Sequence, residues 1–345
     1  LIVQPTPENG CLPVILFLDG VAYSRFLATS VTVVFGRFAG STFVFEVAFI
    51  PRQIDIQTAL AKIIESFAHS PFNGLTFQLK CITADMPARV KAAGCPSYLS
   101  NIGGCPLCLL TKEQMSDYDN AELIEGATPR LAEPSHPLYP LLGAELWRFF
   151  PIAPMHCLYG YTGRFFTEYL LATSAAWQLD LGGSVRLRKE LIDQALGICT
   201  IPTERKCHRP SLLSPKTFRF SDWKTLSGIA TPILPLLAST YRQTFAALLA
   251  LVAAVETTGV SPELRLSVYW LFARLARSCN LDFVPNIHAL FHLCTQEHGL
   301  SANEDLFEKH VQFTHSDVRC SNKRDIELHL IRSAQIRLSL GYHFA

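Results

Sequence analysis

LPVILFLDGVAYSRFLATSVTVVFGRFAGSTFVFEVAFIP, residues 12–51, holds three apolar runs separated by short breaks. The first, 12–21, is nearly continuous, as a strand buried on both faces requires. The second (29–38) and third (41–50) are rich in β-branched and aromatic residues, which suit a pleated, packed surface. Gly40 and Ser41 read as a hairpin turn between them, and Pro51 ends the third run. Residues 55–70, DIQTALAKIIESFAHS, then show apolar residues at helical spacing behind an Asp that can cap the helix. Residues 74–85, GLTFQLKCITAD, read as a fourth strand closed by an acid. The predicted order is three strands, a helix and a strand.

Beyond this block the pattern changes. Residues 111–140 are acidic and proline-rich and read as loop. From about 141 to 280 the spacing is mainly helical, interrupted by Pro202, Pro210, Pro215, Pro232 and Pro235. Two further helices are predicted over 286–299 and 303–318, and a closing one over 323–340. The expected organisation is a first part of an α/β core at 1–135, a helical insertion at 136–285, and C-terminal helices at 286–345 that complete the core. There is no internal repeat and no low-complexity tract.

With 345 residues, 49% hydrophobic and 17% charged, the chain can bury a sizeable core and is no disordered polymer. No stretch reaches the roughly 18 apolar residues of a membrane span. FAALLALVAAV at 245–255 comes nearest, and it reads as a buried helix between Arg242 and Glu256. The start has neither a Met nor a signal-peptide pattern and reads as the middle of something longer, so N-terminal modules are expected to precede it. The 11 cysteines are odd in number and irregular in spacing, which favours a reducing compartment over a disulfide framework.

Three strands, a helix and a fourth strand are how an RNase H-like fold begins. In that architecture one acid sits on the first strand, one at the end of the fourth, and one on a late helix packed on the sheet. Here these are Asp19, Asp85 and Glu308. Three gathered carboxylates offer the hard oxygen ligands that Mg²⁺ or Mn²⁺ prefers, in the two-metal arrangement that serves in-line phosphoryl transfer. The competing reading is plain: an Asp before a Gly is often turn chemistry, and a helical Glu is often solvated.

Six blocks, in order, resemble the transposase domain of CACTA (En/Spm-like) DNA transposons, especially the fungal forms. They are LPVILFLDGVA, CITADMPARVKAAGCPSYLSNIGGCPLC, FFPIAPMHCLYGYTGRFFTEYL, FRFSDWKTLSG, VPNIHALFHLCTQEHG and LFEKHVQFTHSDVRCSNKRDIELHLIRS, spanning about 12–337. The resemblance implies an RNase H-like catalytic core interrupted by an all-helical insertion. It implies DDE-type, Mg²⁺-dependent cleavage and strand transfer of DNA, with Asp19, Asp85 and Glu308 as the metal-holding acids. His156 would then contact the scissile phosphate or an acid of the triad. DNA, as transposon ends and target, is the implied partner, with no membrane and a nuclear place of action; homo-oligomerisation stays open. Two departures bear on activity. The family's Asp-x-Met-His block begins here with Ala153, and the final block lacks the usual Gly-Pro and the Asn-Gly after the Glu. Both are marks of a degenerate copy, so a catalytically silent, transposase-derived DNA-binding or scaffold protein is the alternative.

Cys105 and Cys108 have zinc-knuckle spacing after a Gly-Gly pair. A zinc site needs two more ligands, with Cys95, His156, His288, His292 and Cys294 as candidates. Without metal, the two cysteines are simply buried thiols. His288 and His292 share one helix face, and HALFH lacks the Glu that a metalloprotease helix needs as base. The net charge of +1 excludes nothing, but basic residues cluster at 186–224 and 319–337. Arg205, Lys206, Arg209, Lys216, Arg219, Lys224, Lys323 and Arg324 are the candidate phosphate contacts, with ordinary solvated surface as the competing reading.

Overall fold

The computed structural model describes residues 11–22, 30–69, 76–95, 105, 107–115, 117, 120–179, 183–199, 211–213, 218, 220–279, 285–296, 307, 311, 314 and 330–335. The protein is a mixed α/β chain that divides into two compact units. One comprises 1–109, 128–153 and 301–345, and the other 110–127 and 154–300.

The first unit is built on a four-stranded mixed sheet of order β3-β2-β1-β4. β2 (Ser30–Phe38) pairs antiparallel with both β1 (Cys11–Ala22) and β3 (Val44–Pro51), the β2–β3 pair being the predicted hairpin. Gly40 turns the β2–β3 hairpin at φ +78°, a conformation that L side chains avoid. The chain then passes through α1 (Ile56–His69) and returns as β4 (Thr76–Ala84), which lies parallel to β1 on the far side from β2. A parallel partner needs such a crossover, and α1 supplies it.

Why β1 reads as a continuous apolar run is now clear. Leu16 and Leu18 lie on one face, in a core shared with Leu60 of α1, Ile82 of β4 and Trp147. Ile15 and Phe17 lie on the other face, in a core shared with Val33, Phe35, Cys81, Phe307 and Leu330. Each such Leu or Phe contributes about 1.5–3 kcal/mol by leaving water. Asp55 caps α1: its Oδ2 accepts from both the amide and the hydroxyl of Thr58, each at 2.8 Å. α2 (Met86–Ala93) follows β4 directly and ends on Gly94 at φ +66°.

The second unit is helical. A continuous helical stretch over 155–171 contains π-type turns at Met155–Tyr159 and Phe165–Leu171 around an α-helical turn at Gly160–Arg164. Helices follow at Val185–Leu196, Phe220–Ile229, Ser239–Glu256, Pro262–Ser278 and Pro285–Thr295. Phe165 stacks on Phe245 with centroids 5.4 Å apart, and Phe166 meets both Phe245 and Trp223. Trp223 lies so close to Gly163 that a Cβ there would come within 2.6 Å of the indole nitrogen. The apolar run at 245–255 is the buried side of the Ser239–Glu256 helix, through Phe245, Leu248, Leu251, Val252 and Val255. Among the described residues, no helix is long and apolar enough to cross a membrane.

The segment expected to be loop, 111–140, carries three short helices: Lys112–Met115, Ala121–Glu125 and Tyr139–Leu142. Each is about one turn long, too short to leave a periodic apolar trace. Local capping holds the second of them, with Asn120 Oδ1 accepting from the Leu123 amide at 3.0 Å.

Candidate functional site

The parallel pairing of β1 and β4 brings two acids to one place in the sheet. Leu18 pairs with Ala84 as the last residues in register, so Asp19 and Asp85 are the next positions on adjacent chains. Strands in a sheet lie about 4.8 Å apart, so two carboxylates at neighbouring positions can share a cation. Side chains alternate along a strand. Asp19 therefore follows Ile15 and Phe17 onto the face where Phe307 stacks on Phe17, with centroids 5.0 Å apart and planes 10° from parallel.

Each acid also has a local role. The Asp19 Oδ1 accepts from the Gly20 amide at 2.7 Å. Asp85 is the N-cap of α2: its Oδ1 accepts from the Ala88 amide at 2.8 Å, with Pro87 in the first turn. The sequence DMPAR is a helix-start signal as well as a strand end. The cap engages Oδ1, so Asp85 Oδ2 is the oxygen suited to a cation. Both acids are half-buried, and the pair presents hard oxygens of the kind that suit Mg²⁺ or Mn²⁺. Glu308 lies outside the described residues; its neighbour Phe307 is fully buried against β1. The Arg37 guanidinium sits over the Phe307 ring, 5.6 Å from its centroid, and burial lowers its pKa.

Ala153 is buried at 5% exposure in the sheet-bearing unit. His156 stands in the helical unit, on the first π-type turn, with its ring edge-on to Phe220 at 4.8 Å.

The cysteine knuckle is ordered by its own backbone. Cys105 and Cys108 are both buried at 2%, with their sulfurs within 4.8 Å of one another. The Leu107 amide donates to Cys105 Sγ at 3.3 Å. In the helical unit, His288 and His292 face each other across one turn of the Pro285–Thr295 helix. Their Nε2 atoms are 3.0 Å apart and their rings perpendicular. Two nitrogens bound to one tetrahedral zinc would stand about 3.3 Å apart, from Zn–N bonds of about 2.0–2.1 Å, so the pair is near chelating geometry. Burial pushes the thiols of Cys95 and Cys294 up to about 12.

Of the basic residues predicted to meet phosphates, Lys224 is described, and it has partners of its own. Its Nζ is 4.0 Å from Glu256 Oε1 and 5.4 Å from the centroid of the Tyr159 ring. Glu256 in turn accepts from the Tyr159 hydroxyl. Trp223 beside it is part of the helical unit's core, packed on Phe166 and Phe218. Arg205, Lys206, Arg209, Lys216, Arg219, Lys323 and Arg324 lie outside the described residues.

No protein-family model matches the sequence, and no curated protein is significantly similar to it. Among solved structures, the Drosophila P element transposase strand transfer complex is similar at 11% identity and a TM-score of 0.46. That match covers 96% of this chain and 79% of the other.

Proposed function

We propose that this chain is the catalytic domain of a DDE-type DNA transposase of the CACTA kind, with an RNase H-like core and a helical insertion. The observation that carries the reading is the parallel register of β1 and β4, which pairs Leu18 with Ala84, the residues just before Asp19 and Asp85. Together with the six sequence blocks, it fits a divalent-cation site completed by Glu308. Bound there, two Mg²⁺ or Mn²⁺ ions would activate the attacking oxygen and stabilise the leaving one. The chain's own part is to hold the carboxylates still. Asp19 is fixed by its strand and by the Gly20 amide, and Asp85 by the start of α2. The basic residues predicted to meet phosphates, Lys224 among them, would follow the DNA backbone, with affinity that falls steeply as salt rises.

The test is cleavage of terminal-repeat DNA by the purified chain in Mg²⁺ or Mn²⁺, compared with Asp19→Asn, Asp85→Asn and Glu308→Gln. The reading expects metal-dependent nicking that each variant abolishes; activity that survives Asp19→Asn or Asp85→Asn refutes it. Ala153 favours a second reading, a silent copy. It stands where the family's block has an acid, and it is buried. Under that reading the wild type does not cut, and Ala153→Asp restores cutting.

Zinc is the second cofactor of the proposal. Four ligands are required. Cys105 and Cys108, whose sulfurs lie within 4.8 Å of one another, would supply two of them as thiolates. The expected result is one zinc per chain by metal analysis. Cys105→Ser or Cys108→Ser should each remove it; retention of zinc by either variant rejects this ligand pair.

A further inference from the structure

The turn from Cys105 to Cys108 is held by a second segment, residues 128–130. The Leu109 amide donates to Thr128 O at 3.0 Å, and the Arg130 amide to Leu107 O at 3.0 Å. Cys108 and Pro129 form an isolated antiparallel bridge. The Arg130 side chain then closes the turn from outside. One terminal nitrogen, Nη2, donates to Cys105 O at 2.9 Å and to Cys108 O at 3.3 Å. Both carbonyls belong to the cysteines themselves. The guanidinium therefore fixes the backbone at the two residues whose side chains carry the sulfurs, while the Leu107 amide fixes the Cys105 sulfur directly.

We propose that Arg130 is the positioning residue for a metal ion held by Cys105 and Cys108, an inference that rests on the zinc reading above. A four-residue turn can splay its two thiols in many directions, and two charge-assisted hydrogen bonds to its carbonyls remove much of that freedom. Groups outside the ligand set that orient a metal ligand typically change affinity by about 10–100-fold when removed. Sequence spacing gives no hint of this contact, because Arg130 lies 25 and 22 residues from the two cysteines.

The experiment uses the full chain. Co²⁺ is added in place of zinc and the sulfur-to-cobalt charge-transfer band is recorded. Zn²⁺ affinity is measured by competition with a chromogenic chelator. Arg130→Met removes both the charge and the donors, and it should weaken zinc by about 10–100-fold and alter the charge-transfer band. Arg130→Lys keeps a cation and donors and should recover most of the loss, a rescue that a purely structural role in the fold would not require. An Arg130→Met chain with wild-type affinity and spectrum overturns the inference. So does an Arg130→Lys chain as weak as Arg130→Met. A wild-type chain with no cobalt band that depends on Cys105 removes the zinc reading itself, and this inference with it. The two failures are distinct, because the second appears before any Arg130 variant is made. If Arg130→Met does not fold, Arg130→Gln gives the same comparison with neutral donors.

Discussion

The capping role of Asp85 and its proposed metal-ligand role can be separated by one pair of substitutions. As N-cap of α2 it accepts from the Ala88 amide at 2.8 Å, and Ala92 and Ala93 on that helix are buried in the sheet's core. As a metal ligand it needs its negative charge. Asp85→Ala removes both and should destabilise α2 by about 1 kcal/mol, within a range of roughly 0.5–2. Asp85→Asn keeps a capping oxygen, since Asn caps as well as Asp, and loses only the charge–dipole contribution, about 0.3–1 kcal/mol. Hydrogen exchange reads this locally, where a global unfolding curve of a two-unit chain would blur it. Each kcal/mol corresponds to about a fivefold faster exchange of the α2 amides when they exchange by local opening. The account expects clearly faster exchange in Asp85→Ala, a smaller change in Asp85→Asn, and loss of Mn²⁺ binding in both. If Asp85→Asn binds Mn²⁺ like the wild type, Asp85 is a helix cap and nothing more. If Asp85→Ala leaves the α2 amides unchanged, the capping argument is wrong as well.

Three further outcomes follow from the packing. Burial lowers the His136 pKa below the ordinary 6.5, and the neutral ring is the one that fits. His136 Nδ1 accepts from the Leu138 amide at 3.1 Å, while Nε2 donates to Ala93 O at 3.1 Å. Its contribution to stability is therefore present above pH 6.5 and lost as the pH falls through the depressed folded-state value. NMR titration of the ring should give a midpoint below 6.5, and a midpoint above 6.5 contradicts the geometry. Cys81, Cys95 and Cys294 are pushed up to about 12 by burial and should be spared by iodoacetamide at pH 8, read by mass mapping. Rapid modification of any of them in the folded chain would count against its burial. Gly163→Ala sets a methyl against the Trp223 indole and should cost about 1–3 kcal/mol through overpacking, seen as a lower thermal midpoint of the helical unit.

The sheet was legible because its signals are local. β1 is buried on both faces and therefore apolar throughout, and the β2–β3 turn needs a residue like Gly40. The parallel register that pairs Leu18 with Ala84, just before Asp19 and Asp85, was legible one step further on, because a strand after a crossover helix returns parallel to its partner. Less was visible where contacts are distant. Lys224 beside Trp223 reads from sequence as a nucleic-acid contact. Its partners Tyr159 and Glu256 come from other helices, 65 and 32 positions away, and no spacing rule could point to them. Arg130 was silent for the same reason: what it binds is carbonyls, and carbonyls leave no residue-type signature. The one-turn helices within 111–140 escaped because periodicity needs several turns to appear. The π-type turns at 155–171 have no sequence signal that we can identify, and we have no physical account of why they form there.

The central claim is that Asp19 and Asp85 together hold a divalent cation, and it can be tested whether or not this copy cuts DNA. Mn²⁺ is titrated into the full chain and the loss of its free six-line EPR signal is followed, with Asp19→Asn and Asp85→Asn in parallel. The account predicts saturable binding by the wild type that either substitution abolishes. Binding that survives both substitutions, or no binding by the folded wild type, would contradict it.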